Sequence, residues 1–301
     1  MADNLFEATL DLLWRQWRSI GGAAAGEPVS KQVDPEALCL ASLFFRDHEP
    51  RLWTAMADWI RFGASLLSVQ RLKNLATQFP DMSDQVKALG LVAWHEGKDA
   101  RWKSLVGARG QSRGAYRTSS KQRSAGPALS APPAFVLRLR AGFNVGVKAD
   151  LLAFLLGQKF RVSVATAAAS LAYGVPAIFR ALQDSRNAGF VRSADLPSAA
   201  EYWVDIPTWY EVMGGEQAIP RWGFWREILV YACAMFTLEH ERNYPKSSEY
   251  ARATALRELA MQHEAGLVRS GMIEQAIPRS ASFDEWREFH NALAQRIADL
   301  A

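Results

Sequence analysis

Apolar residues recur along most of this chain at three- and four-residue intervals, the repeat of a helix that turns one face to a core. Residues 3 to 20 place Phe6, Leu10, Leu13, Trp14 and Trp17 on such a face, and Gly21-Gly22 ends it. Asp34-Pro35-Glu36 opens a second helix, where a capping acid, a first-turn proline and a carboxylate at the positive end of the dipole agree. It carries Leu38, Leu40, Leu43 and Phe44. A third helix is expected from 50 to 62, a fourth from 69 to 79 behind Ser68, and a fifth from 83 to 105 that can break at Gly90 or Gly97. The third and fourth have the layout of a helix-turn-helix with Gln70, Arg71, Lys73 and Asn74 outward, set against the plainer reading of a bundle corner with a solvated face.

From 107 to 133 the periodicity disappears into glycine, serine, proline and arginine, a composition that cannot offset the entropy of ordering and reads as a linker. A helix or helix pair follows from 134 to 157, bearing Phe135, Leu139, Phe143, Leu151, Leu152, Phe154 and Leu155. The pattern then changes over residues 161 to 206. Ser163 can cap a short helix (164 to 172) that Gly174 stops, and Pro176 suits the first turn of the next helix, which Ala188-Gly189 ends. In this second helix Ile178, Leu182 and Ser185 share one face, with Arg180, Gln183, Asp184 and Arg186 elsewhere. Phe190-Val191-Arg192 and residues 202 to 206 are rich in strand formers and flank a polar tip with Pro197 and Ser198. Three more helices are expected at 227–240, 248–264 and 283–300. The last has a capping box, Ser282 with Glu285, and a stripe of Trp286, Phe289, Leu293, Ile297 and Leu300.

The expected fold is therefore mainly α: an N-terminal helical module (1–106), a basic linker (107–133), a helix-turn-helix with a short hairpin (134–212) and a C-terminal helical region (213–301). A 49% apolar composition with 11 Trp and 15 Phe supplies material for more than one core. The longest nearly continuous apolar run, 228 to 236, is about half the length of a membrane span, and no basic region followed by an apolar stretch opens the chain, so a cytoplasmic protein is expected. Cys39 and Cys233 stand far apart in apolar helical segments and read as buried thiols.

Charge sharpens the picture. Ten of the 35 cations lie between Arg101 and Lys148 with no acid among them, leaving 25 against all 31 acids elsewhere. A concentrated basic stretch in an otherwise acidic chain is the footprint of contact with a polyanion, and equally of a solvated linker. Candidate chemistry is otherwise missing. Four His-Glu pairs occur, at His48, His95, His240 and His263, yet none continues to a second histidine four residues on, and no nucleophile elbow or phosphate-cradling glycine loop is present. Neither catalysis nor a metal or cofactor is indicated. The hexapeptide EQAIPR occurs at 216–221 and 274–279, each followed by Trp-Arg-Glu, which fits either chance or a small duplicated helix entry.

In order and spacing, residues 161 to 206 resemble the bacterial winged helix-turn-helix repressors of the multiple-antibiotic-resistance-regulator (MarR) kind. That resemblance implies binding of double-stranded DNA as a transcriptional regulator, with the second helix in the major groove, and a homodimer. Residues 34 to 75 are similar to helical modules that some bacterial proteins pair with a winged helix. This second resemblance, shared with antitoxins of abortive-infection systems, implies an antitoxin-type regulator with a nucleotidyltransferase-like neighbour as a possible protein partner. The DNA-contacting candidates are Ser163, Arg180, Gln183, Arg186 and Arg192 in the head, and Arg113, Arg117, Lys121 and Arg123 in the linker. The second helix departs from the usual pattern. It starts with Pro176, Ala177 and Phe179, and residues 161 to 206 hold four arginines against four acids, so a module that binds a protein partner through Phe179 is the alternative.

Overall fold

A computed structural model describes residues 2–106, 126–195, 200–240, 244, 248–274, 277 and 282–300. Its helices are α1 (Ala2–Ser19), α2 (Pro35–Phe44), α3 (Pro50–Gly63), α4 (Val69–Ala76), α5 (Ser83–His95), α6 (Lys103–Val106), α7 (Phe135–Phe143), α8 (Val147–Gln158), α9 (Val164–Leu171), α10 (Val175–Asn187), α11 (Ile206–Met213), α12 (Trp225–His240), α13 (Glu249–Arg269) and α14 (Phe283–Leu300). Three short strands, β1 (Val162–Ser163), β2 (Arg192–Asp195) and β3 (Ala200–Trp203), form an antiparallel sheet in the order β1-β3-β2. The protein is thus mainly helical with one small sheet. No single helix among the described residues is long and apolar enough to cross a membrane.

Several helix ends follow the local chemistry read from the sequence. Asp34 caps α2 by accepting from the Ala37 N–H at 3.2 Å, Ser68 caps α4, and the Ser282 and Glu285 side chains cap α14 reciprocally. Trp286, Leu293 and Ile297 on that last helix are buried, as are both cysteines. Other boundaries moved. α4 stops at Ala76, because Pro80 disfavours helix before it and the Thr77 hydroxyl turns back onto the Asn74 carbonyl. The fifth expected helix breaks after His95, where Lys98 adopts φ +52°, and continues as α6. Gly90 stays inside α5 because a Cβ there would lie 3.0 Å from Leu105 Cβ, so it is a packing glycine and not a stop. The hairpin strands sit two residues away from the expected runs, residues 204–206 lead into α11, and β1 was not anticipated.

Two cores result. The larger joins Leu12, Leu13 and Trp17 of α1, Leu38 of α2 and Trp59 of α3 to Tyr231 and Met235 of α12, Leu256 of α13 and Trp286 of α14. Helices at opposite ends of the sequence therefore share one interior. The smaller core gathers Leu151, Phe154 and Leu155 of α8, Leu171 of α9, Ile178 and Leu182 of α10, Tyr202 of β3 and Trp209 of α11. α7 serves both, with Leu137 in the first core and Phe135, Val136 and Leu139 in the second. Each EQAIPR copy delivers an isoleucine to a core, Ile219 to the smaller and Ile277 to the larger.

Deep in the larger core His290 makes two hydrogen bonds. Its Nε2 lies 3.1 Å from the Leu256 carbonyl and must donate to it, so Nδ1 accepts the Tyr231 hydroxyl proton at 2.5 Å and the ring is neutral. Burial pulls its pKa down to about 4.

Candidate nucleic-acid interface

The unit from α8 to β3 is organised around the turn between α9 and α10, whose axes bend by 116°. Ser163 builds the first corner: its hydroxyl accepts from the Thr166 N–H at 3.1 Å and lies 3.0 Å from the Thr166 hydroxyl, starting α9. Ala172 ends α9 in the left-handed region at φ +54°, and α10 begins with Pro176 in its first turn. Ile178, Ala181 and Leu182 bury one side of α10 against α8 and α9, which leaves the opposite side to solvent.

The candidate side chains do not all end up on that outer side. Arg180 and Arg186 are exposed and make no ion pair among the described residues; Arg180 Nε donates to the Pro176 carbonyl at 3.3 Å and Arg186 reaches the Ser193 hydroxyl at 3.4 Å. Gln183, expected on the free face, is half-buried and donates its amide to the Tyr202 hydroxyl at 3.2 Å, because the sheet comes close enough to use it. Arg192 is exposed at the start of β2 but pairs with Asp205 at 3.0 Å. Asp184 pairs with Lys148 at the start of α8, 2.8 Å away. Phe179 is 47% exposed and Val175, one turn before it, 54%. Arg113, Arg117, Lys121 and Arg123 lie outside the described residues.

What holds this unit was not foreseen from the sequence. Arg71 of α4, read as an outward residue, is buried because three elements converge on it. It forms a two-toothed pair with Asp34 (2.6 and 2.6 Å), touches Glu36 at 2.7 Å and donates to the Leu171 carbonyl at the end of α9 at 3.0 Å. Arg140 of α7, equally buried, grips Glu36 at 2.6 and 3.0 Å and Asp150 at 2.6 and 2.8 Å, and its guanidinium also reaches the Leu66 carbonyl. Tyr173, in the α9–α10 turn, donates to Asp150 at 2.7 Å, and Asn74 of α4 donates to the Ala172 carbonyl at 3.1 Å. The outward reading of Asn74 falls for the same reason as that of Arg71.

Three carboxylates thus face two guanidiniums in a site closed to water. The surplus negative charge sits at positive helix ends: Asp34 caps α2, Glu36 is in its first turn, and Asp150 is in the first turn of α8. Burial pushes the Asp34 carboxyl up, but the charge and hydrogen bonds of Arg71 outweigh it and hold the group below its ordinary 3.8. Burial and the Asp150 charge push the Tyr173 hydroxyl well up, so it remains a donor. The geometry of the α9–α10 turn is consequently fixed from α4, about 100 residues earlier in the chain. The sequence did contain a signal: Glu36 is the one charged residue of PEALCLASLF, and a carboxylate on a helix otherwise built for burial requires a counter-ion.

No protein-family model, curated protein or solved structure gives a significant match to this chain. The assignment of function therefore rests on geometry and chemistry.

Proposed function

We propose that the unit from α8 to β3 is a winged helix-turn-helix that binds duplex DNA, and that the protein acts as a cytoplasmic transcriptional regulator of the MarR-like kind. The order helix, strand, helix, helix, strand, strand and the near-perpendicular α9–α10 turn support the reading. The observation that carries it is the pair of exposed guanidiniums, Arg180 and Arg186, which make no ion pair among the described residues and lie on the outer face of a helix whose inner face is buried. Regulation of a defence or toxin–antitoxin operon is the biological setting that the sequence resemblance implies. Anisotropy titration of a promoter fragment from the protein's own operon tests the reading. With roughly six phosphates neutralised, log K should fall against log salt with a slope of about −5. Absence of binding at low salt would remove the proposal.

A second reading has its own support. Val175 and Phe179 leave the first half of α10 apolar and open to solvent, as suits a protein partner such as a nucleotidyltransferase-like protein. Capture of the neighbouring gene product that survives Arg180→Ala but not Phe179→Ala would decide for it. Self-association fits either reading: Tyr250, Met261 and Val268 fall on one side of α13 and are all exposed. A monomer mass independent of concentration in sedimentation would contradict the dimer.

A further inference from the structure

Where the two cores meet, the segment before α2 runs alongside the segment before α12. Gln32 and Trp222 form a parallel bridge, with the Gln32 N–H donating to the Arg221 carbonyl at 2.8 Å. Both bridge side chains turn inward: the Gln32 amide donates to the carbonyls of Ala153 (3.1 Å) and Pro220 (2.8 Å), and Trp222 packs in the smaller core. The residues one step earlier on each segment, Lys31 and Arg221, are therefore side by side and point to the opposite, outer side. Like charges directly opposite one another destabilise a pair of strands. Here two cations occupy that relation, and neither has an ion pair among the described residues.

The platform beneath them is rigid. Trp225 donates its indole N–H to the Gln32 carbonyl at 2.6 Å, and Lys31 Nζ sits 5.8 Å from the centre of the Trp225 ring. A Cβ at Gly223 would stand 2.1 Å from the same ring, so the approach of the backbone to the indole requires glycine there. The ring holds the Lys31 ammonium over its face and so limits where that charge can sit. Lys31 is half-buried and Arg221 exposed, so an incoming anion can reach both. From this geometry we propose that Lys31 and Arg221 form a binding site for a phosphate-type anion at the seam between the two cores. Partial burial, and then the nearby Arg221 charge, lower the Lys31 pKa below 10.5, which is the cost an anion would relieve. Phosphate oxygens can accept simultaneously from an ammonium and from two guanidinium N–H groups, an arrangement that a halide cannot reproduce.

The source of the phosphate is either a free ligand or the backbone of a duplex lying across the seam, and two arms distinguish them. In the first, inorganic phosphate and pyrophosphate are titrated into the full chain against chloride at equal ionic strength, with the ¹³Cε resonance of Lys31 and the melting temperature as readouts. Binding should raise the Lys31 titration midpoint and the melting temperature. Both responses should weaken at least tenfold in apparent affinity in Arg221→Gln, whose side chain is exposed, and the melting-temperature response should weaken at least as much in Lys31→Met/Arg221→Gln. In the second arm a duplex is titrated over a range of salt. A two- to tenfold loss of affinity in the double variant, with a shallower salt slope, would identify backbone phosphate; unchanged duplex affinity with a lost phosphate response would identify a free ligand. No difference between wild type and variants in either arm overturns the site. The phosphate arm does not require duplex binding, so the site can stand where the DNA reading fails, and fail where that reading stands.

Discussion

Removing Arg140 should be the most damaging single polar change in the protein. Arg140→Met keeps the stem and the volume, so the loss is one of charge. Asp150 would then retain only the Tyr173 hydroxyl, Glu36 would fall back on Arg71 and the Ser68 N–H, and the Leu66 carbonyl would lose its donor. Breaking a buried ion pair from one side costs about 3 to 5 kcal/mol because an uncompensated charge stays behind. Against a total stability of roughly 5 to 15 kcal/mol that is about a fifth or more. Urea unfolding followed by far-ultraviolet circular dichroism and tryptophan fluorescence would read it. Since the pair straddles the two cores, the two probes should separate in the variant and coincide in the wild type. The companion Arg140→Met/Asp150→Leu removes the stranded carboxylate and should cost less than the two single changes added together, with a coupling of about 1 to 3 kcal/mol. A single variant that loses under about 1 kcal/mol, or a double variant that is simply additive, would refute the claim that this network is a closed, desolvated unit.

Three further outcomes are expected. His290 has a folded pKa near 4 against 6.5 for the free side chain, so the native state binds fewer protons across that interval and stability should fall as pH drops from about 6.5 to 4. The shift corresponds to about 3 kcal/mol, and His290→Phe should abolish that part of the pH dependence in unfolding curves taken at several pH values. On the DNA reading, Arg180→Ala should cost about 1 to 3 kcal/mol of specific binding and blur one base position, whereas Arg192→Ala should weaken all duplexes alike; anisotropy on a small panel of altered operators separates the two. Replacing Arg109, Arg113, Arg117, Lys121 and Arg123 with Gln or Ser should leave the melting temperature nearly unchanged and reduce duplex affinity, and loss of folding would mean that the segment is packed.

The helices were legible because their signals are local. Asp34-Pro35-Glu36, Ser68 and the Ser282–Glu285 box each act within one turn, and the structure starts helices at all three. What escaped depends on residues far apart in the chain. Arg71 and Asn74 sit on a short helix whose pattern allows an outward face, and only the arrival of Leu171 and Ala172 makes that face an interior. Gln183 was misplaced because helical spacing says nothing about where a neighbouring strand will put a tyrosine hydroxyl. β1 is two residues long and owes its existence to Glu201 and Tyr202 opposite it. For the candidate interface, the turn and its cap at Ser163 were readable, while the pairing of Asp184 with Lys148 and of Arg192 with Asp205 required the fold.

The sharing of one core by helices from both ends of the sequence has a consequence during synthesis. α1 packs against α14, and α2 against α12, so the interior that these two helices share is complete only after residues 225 to 300 have been translated. At about 5 to 20 residues per second, that interior waits on the order of 13 to 50 s beyond the completion of α2. The smaller core, whose residues 135 to 222 are contiguous, can collapse first while the first helices still lack α12 and α14. A nascent chain in which one module is finished and the module that flanks it in sequence is half made exposes apolar surface on the ribosome. Its yield in the cell should depend on chaperones that engage the first helices in that interval.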